Sequence, residues 1–360
     1  MKLLITGSAG FIGTHAVAAA KTRGWDVIEC DLRCPYNWMR MSNEDCRDTE
    51  WPRGCTHVLH LAGYSSNAGF ADYMWRNYNN NVCGLSHILN MATIARARVV
   101  YASSSAVYGA AWPFPCHPAV ADLVSHYGKS KRINEMMAES YRDIGLSVLG
   151  LRLFNAYGAG DELKPAGRQA PPTWMAAAKH EGKPAIIYGD GRQAKDFIHV
   201  SDAVEIIMRL IESDATGIVN VGTGVATSFN DLARLIGCEV EYKPVPDPAS
   251  YQYFTRADTT RLLSIIGPYK FKSIEEGLAC QQIGYTLDRI VEEAIEDEAI
   301  EDGQIPMWAT RESEAVRNAR IVREAVAEGS YCPACKVPWS DCDCEDDLCG
   351  VQHRIESDEI

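Results

Sequence analysis

Lys2-Leu3-Leu4-Ile5-Thr6-Gly7-Ser8-Ala9-Gly10-Phe11-Ile12-Gly13 stands at the start of the 360-residue chain. The apolar run reads as a short strand, the three glycines spaced three apart as a tight turn, and the residues from Phe11 as a helix. Such a turn lets the backbone approach a pyrophosphate, and the helix N-terminus behind it stabilises the charge. Asp31 lies eighteen residues beyond Gly13, at the end of a second strand-like run, Asp26–Cys30. A carboxylate there accepts hydrogen bonds from ribose hydroxyls and repels a 2′-phosphate, which favours NAD over NADP. Arg33, two residues further on, softens that preference. A lone glycine triplet is a weak signal that flexible loops also produce. Here the strand, the helix and the acid together make Gly7, Gly10, Phe11, Ile12, Gly13, Asp31 and Arg33 the expected cofactor contacts.

Outward from this turn, short β-branched runs alternate with helical patterns, as a doubly wound parallel sheet requires. Leu3–Thr6, Asp26–Cys30, His57–Leu61, Val99–Ala102 and Ser147–Leu153 are the expected strands, with helices Phe11–Arg23, Asn77–Ala95 and Tyr127–Ile144 between them. Beyond Gly158 prolines interrupt the pattern, and Ile198–Ser213 and Ile218–Val221 read as a return to the sheet. The expected fold is α/β: a Rossmann-type sheet over 1–160, completed by about 190–222, and a smaller substrate lobe from 161–189 and 223–285. A helical extension over 286–330 and a Cys-rich tail over 331–360 follow.

Tyr127-Gly128-Lys129-Ser130-Lys131 places a tyrosine and a lysine on one helix face. The ammonium, with a positive nicotinamide nearby, is expected to lower the phenol's pKa from about 10 toward that of a general base. The spacing alone equally describes a solvated surface pair. Ser103-Ser104-Ser105 tips the balance, because it follows a strand and so stands at the sheet edge where parallel sheets bind ligands.

His60-Leu61-Ala62-Gly63, Asn81-Val82-Cys83-Gly84, the Ser103 run, Tyr127/Lys131, Leu151–Gly158 (with Asn155-Ala156-Tyr157-Gly158) and Tyr188-Gly189-Asp190-Gly191 through Asp196-Phe197-Ile198-His199-Val200 occur in that order. With the glycine turn they resemble the extended short-chain dehydrogenase/reductase family, in its nucleotide-sugar epimerase and dehydratase branch, over roughly 1–280. The resemblance implies Tyr127 as base, Lys131 as its partner and ribose contact, Ser104 on the reacting hydroxyl, and Ser105 and Asn155 on the substrate. It places Leu61, Ala62, Gly63 and Asn81 beside the cofactor, and leaves His60 structural. Dehydratases of this branch carry an acid just before Val-Tyr-Gly, where this chain has Ser105 and Ala106; oxidation followed by re-reduction needs no such acid, so an epimerase is implied. A reductase or dehydrogenase, and a non-catalytic dinucleotide-binding protein, are the alternatives.

The lobe segments Gly217–Gly224, Tyr251–Asp258 and Phe271–Gly277 are similar to the ADP-heptose 6-epimerase subgroup, which implies Lys164 as a second base, with a solvated loop lysine as the other reading. The branch's phosphate-binding arginines are replaced by Lys195 and Ser250, leaving Arg256 or Arg192 to compensate. A homodimer is implied as well, through the helices Asn77–Ala95 and Tyr127–Ile144, whose Ile88, Met91, Ile133 and Met137 fit partly outward-facing stripes, with burial inside one subunit as the other reading.

The net charge of −13 resides wholly in the last 75 residues: 286–330 holds twelve acids against five bases, and 331–360 eight against two. The catalytic body is formally neutral, which argues against nucleic acid as a partner. No apolar run approaches a membrane span, the chain opens directly on a strand, and the body's cysteines are scattered. A cytoplasmic protein with reduced thiols is expected. The tail is different. Cys332, Cys335, Cys342, Cys344, Cys349 and His353 crowd into it, and Cys-x2-Cys supplies two zinc ligands at suitable spacing. A structural zinc module that stabilises the chain end or docks a partner protein is expected there, against the alternative of an acidic tail with free thiols.

Overall fold

The structure, a computed structural model, describes residues 1–31, 51–64, 74, 78–109, 125–164, 167–245 and 251–280. Arg33, Ser250, the extension and the zinc-candidate tail lie outside the described residues. Strands β1 (Lys2–Thr6), β2 (Asp26–Cys30), β3 (His57–His60), β4 (Arg98–Ser104), β5 (Val148–Leu153) and β9 (Gly217–Val221) form one six-stranded sheet in the order β2-β1-β3-β4-β5-β9. Every pairing in it is parallel. Parallel strands are covered on both faces, so their sequences are continuously apolar rather than alternating; Leu3, Leu4 and Ile5 are all fully buried.

Helices α1 (Phe11–Thr22) and α5 (Val200–Glu212) cover one face, where Ala16 and Ala20 meet the cluster of Ile206, Ile207 and Leu210. Helices α2 (Gly84–Ala95) and α3 (His126–Asp143) cover the other with Leu85, Leu89 and Ala138. Ile88 is fully buried in this second cluster and Met137 packs against it, so neither lies on the expected outward stripe; Ile133 does, with Met136 beside it. Among the described residues no helix is long and apolar enough to cross a membrane.

The smaller lobe has its own core. Strands β6 (Asn155–Tyr157), β8 (Ala194–His199) and β10 (Ala226–Ser228) form a three-stranded sheet, and β7 (Ala185–Tyr188) pairs with β11 (Val240–Lys243). Met175 of α4 (Pro171–His180), Phe197, and Phe229 and Leu232 of α6 (Phe229–Ile236) fill the space between them. A further short helix, α7 (Thr260–Ile266), packs Leu262 into the first core. The stretch expected to rejoin the main sheet at Ile198 behaves differently. Strand β8 belongs to the small sheet, and His199 turns the chain into α5, its Nδ1 accepting from Ser201 N at 3.3 Å. Only β9 returns.

Candidate active site

The chain runs from β1 to β2 on one side and then crosses back over β1 to β3 on the other, and this reversal opens a crevice at the carboxyl ends of β1 and β3. The glycine turn fills that crevice mouth. Gly7 has φ +71°, and a Cβ on it would lie 2.7 Å from the Ala62 nitrogen; a Cβ on Gly13 would lie 2.0 Å from the Gly7 oxygen. Neither position tolerates a side chain. Gly10 caps α1 with no side-chain bond, and the first turn carries no acid, so its N–H groups face outward uncompensated. Asp31 accepts from Ala9 N at 3.1 Å, which fixes its carboxylate beside the turn. Phe11 and Ile12 are half-buried behind it. A bare backbone cradle, a helix N-terminus and a carboxylate at the end of β2 fit a dinucleotide.

Leu61, Ala62 and Gly63 leave β3 against this turn. A Cβ on Gly63 would fall 2.8 Å from Asn81 Oδ1 and 3.5 Å from Lys131 Nζ, so the β3 exit links the cofactor crevice to the tyrosine–lysine helix. Asn81 stands on a π-helical turn, Asn79–Cys83, of the kind that recurs at functional sites. Buried, it accepts from Tyr64 N at 2.7 Å and donates to Tyr64 O at 3.2 Å and Ser130 Oγ at 3.1 Å. It is a bracket between strand exit and helix. His60, held near pKa 3 by burial, bonds Thr6 at 2.7 Å and is neutral.

Ser104 ends β4, and its side chain accepts from Ala106 N at 3.1 Å and hydrogen-bonds Tyr127. Helix α3 starts at a Ser125 cap and carries Tyr127 and Lys131 on its inner face, both buried. Lys131 Nζ lies 5.9 Å from the centre of the Tyr127 ring and donates to Ala102 O at 2.9 Å. Gly128 explains how the helix comes so close: a Cβ there would sit 2.6 Å from the Ala106 oxygen. The expectation of a lowered Tyr127 pKa needs correction for the protein by itself. Burial pushes the phenol up, and the Ser104 bond offsets only part of that. Burial also pulls Lys131 down to about 8, so it stays largely charged at neutral pH.

Beneath these residues runs a buried network that the sequence reading did not single out. Ser103 donates to Glu135 at 2.6 Å, and Arg152 on β5 grips both Glu135 oxygens at 2.8 and 2.7 Å. Burial works against the Arg152 charge, yet the bonds to Glu135 hold its pKa above the usual arginine value. Arg152 also lies 4.5 Å over the Tyr108 ring, and the Tyr108 hydroxyl donates to Asn220 Oδ1 at 2.6 Å. The legible signal was Glu135 itself, four residues past Lys131 and eight past Tyr127: an acid on a buried face needs a cation.

On the substrate side, Ser105 is buried one residue past Ser104, and Asn155 donates to Asp196 O at 3.0 Å. Asp196 accepts from Thr223 N, Thr223 Oγ1, Gly224 N and Ala257 N, all within 2.7–2.9 Å. Lys195 is turned inward onto the Gln252 carbonyl, and burial lowers its pKa to about 7. Gln252 in turn donates to Gly109 O at 2.5 Å, tying the lobe to the serine turn. Arg256 is exposed, and Arg192 is exposed beside Asp190 at 3.6 Å. Lys164 pairs with Asp161 and lies 4.3 Å over the Phe11 ring, at the cofactor turn.

A parallel sheet with a glycine cradle at its switch point and a Ser–Tyr–Lys set along the same edge defines a Rossmann-type α/β protein. The chain belongs to the NAD dependent epimerase/dehydratase family, whose sequence profile matches residues 3–222. It is 30% identical over 307 residues to an ADP-L-glycero-D-manno-heptose-6-epimerase of Alkalilimnicola ehrlichii, covering 77% of this chain and 95% of the relative. MoeE5 in complex with UDP-glucose and NAD superposes with a TM-score of 0.68 at 29% identity, over 81% of this chain and all 100% of that one. The UDP-glucose 4-epimerase of Thermotoga maritima, solved with UDP-glucose, gives 0.68 at 25% identity, over 81% and 100%.

Proposed function

We propose that this protein is an NAD-dependent epimerase that inverts a carbinol centre of a nucleotide-diphosphate sugar by transient oxidation. The observation that carries the reading is the Ser104–Tyr127–Lys131 set beside a serine turn, Ser105–Tyr108, that holds no carboxylate. Among its described residues such a turn offers no second acid for expelling water. Gly7, Gly10, Gly13, Phe11, Ile12, Asp31, the Leu61–Gly63 exit, Tyr127 and Lys131 hold the dinucleotide; bound, it supplies the hydride acceptor and a positive ring that favours the Tyr127 phenolate. Ser104 orients the substrate hydroxyl. Tyr127 takes that proton as the carbon is oxidised, keeps it while the keto-sugar re-presents its other face, and returns it on reduction. Lys131⁺ offsets the phenolate charge. Ser105 and Asn155 line the sugar side. The relatives' names support a diphosphate sugar, since they act on or were solved with ADP-heptose, UDP-glucose or UDP-glucuronic acid.

The test is a nucleotide-sugar screen with products resolved by NMR, beside absorbance at the reduced-nicotinamide band. Epimer formation without net reduced cofactor is expected; stoichiometric release of reduced cofactor would instead establish a dehydrogenase. Asp31 makes NAD the expected cofactor, and tighter NADP binding by titration overturns that part. The exposed Ile133 and Met136 of α3 support a homodimer, which light scattering checks. For the tail we propose a structural zinc site from Cys332 and Cys335 with two of Cys342, Cys344, Cys349 and His353. Elemental analysis at about one zinc per chain supports it, and metal-free protein rejects it.

A further inference from the structure

Lys131, Lys195 and Arg168 have been drawn from water without a carboxylate within ion-pair distance among the described residues, as has Arg98, whose N–H groups are taken up by Ser147 and the Leu210 and Ala215 carbonyls. The two lysines bond carbonyls, of Ala102 and Gln252. For Arg168 the contact is a ring, with its guanidinium carbon 4.0 Å from the centre of Tyr64. Partial burial with no counter-charge pulls its pKa below the usual arginine value. A cation in that condition is stabilised by an incoming anion.

Its location says which anion. Tyr64 directly follows the Leu61–Gly63 exit that touches the glycine turn, and Asn81 pins both its backbone groups. The ring is therefore fixed at the lip of the β1/β3 crevice. The stretch that carries Arg168 reaches the opposite lip too, through Ala159 O on His15 Nε2 at 2.8 Å and Lys164 over Phe11. Lys164 is neutralised there by Asp161, whereas Arg168 has no such partner among the described residues. Stacking on an aromatic face holds a guanidinium in one plane and leaves its edge N–H groups able to grip two oxygens of one phosphate.

We propose that Arg168, carried on Tyr64, binds a phosphate of a pyrophosphate diester at the mouth of the crevice. The assignment rests on the dinucleotide reading given above. Both the dinucleotide and a nucleotide sugar contain this group, and the experiment separates them. Dissociation constants for NAD, ADP-ribose, UDP-glucose and ADP-glucose are measured calorimetrically on wild type, Arg168→Gln, Arg168→Lys and Tyr64→Leu, across salt from about 0.05 to 0.3 M. Arg168→Gln weakens the phosphate ligand about ten- to a hundredfold and flattens its salt dependence, while Arg168→Lys restores part of the loss. Tyr64→Leu, which keeps the charge but removes its platform, weakens the same ligand by a smaller factor. Losses shared by NAD and ADP-ribose place the arginine on the cofactor; losses confined to the sugar nucleotides place it on the substrate. Wild-type affinities and salt dependence in Arg168→Gln overturn the assignment alone. A wild-type protein that binds none of the four overturns the dinucleotide reading with it.

Discussion

Replacing Glu135 with Gln keeps the side chain's shape and removes its charge, which isolates what the buried carboxylate does. Glu135 and Arg152 are each 1% exposed, and Arg152 makes two bonds to the carboxylate while Ser103 makes a third. The substitution leaves the Arg152 guanidinium deep in the protein without its counter-ion, and also removes the carboxylate oxygen that Arg132 Nη1 meets at 3.3 Å. Breaking one side of such a pair costs about 3–5 kcal/mol. At about 2–4 °C per kcal/mol for a domain of this size, the melting temperature falls by roughly 10 °C. Removing both charges with Glu135→Leu and Arg152→Met recovers most of that stability, because the desolvation penalty goes with them. Turnover stays low in the double variant, since Ser103 no longer anchors the strand end that presents Ser104 to Tyr127. Urea and thermal unfolding give the stabilities, and kcat and KM on the same samples give the second readout. A Glu135→Gln protein within about 1 kcal/mol of wild type, or a double variant less stable than either single one, refutes the account.

Tyr127→Phe lowers turnover by about 10²–10⁴-fold with NAD binding nearly unchanged, and wild-type-like turnover removes Tyr127 from the chemistry. Gly128→Ala forces α3 off the Ala106 carbonyl, costing about 1–3 kcal/mol and a larger share of kcat than of KM; an unaltered kcat shows that the close approach is incidental. Lys131 and Lys195 have folded pKa values lowered to about 8 and about 7, against 10.5 for the usual group. The unfolded chain therefore binds more protons above these values, so stability rises with pH between roughly 7 and 10.5. Lys195→Met removes the lower part of that rise, and an unchanged pH profile in this variant contradicts the burial of its charge.

The cofactor turn was legible because three constraints act within thirty residues: a strand, a turn that excludes Cβ atoms, and an acid at the next strand's end. Tyr127 and Lys131 were legible from helical spacing, and the five strands from Leu3 to Leu153 from their apolar runs. Other features depend on partners far away in sequence. Ala194–His199 has a strand's composition, but only pairing decides which sheet it joins. Ile88 points inward because α2 lies flat on the sheet, a rotation the stripe alone does not specify. The contact of Lys195 with the Gln252 carbonyl, fifty-seven residues later, has no signal in the sequence around it. In the protein by itself burial, invisible in a spacing argument, raises the Tyr127 pKa despite the hydroxyl bond from Ser104, whereas the expected lowering counts on a bound positive nicotinamide as well.

Asp196 joins three pieces of chain that the sequence keeps apart: the small sheet's central strand, the loop leaving β9 at Thr223 and Gly224, and the segment at Ala257. Since β9 closes the main sheet, a single carboxylate rivets the smaller lobe to the main-sheet body. The two halves therefore do not part at that seam during turnover. Any ligand must enter and leave by the outer rim of the cleft, while its floor stays rigid. Drift in sugar preference between related chains should accordingly accumulate in rim loops, with the rivet left untouched.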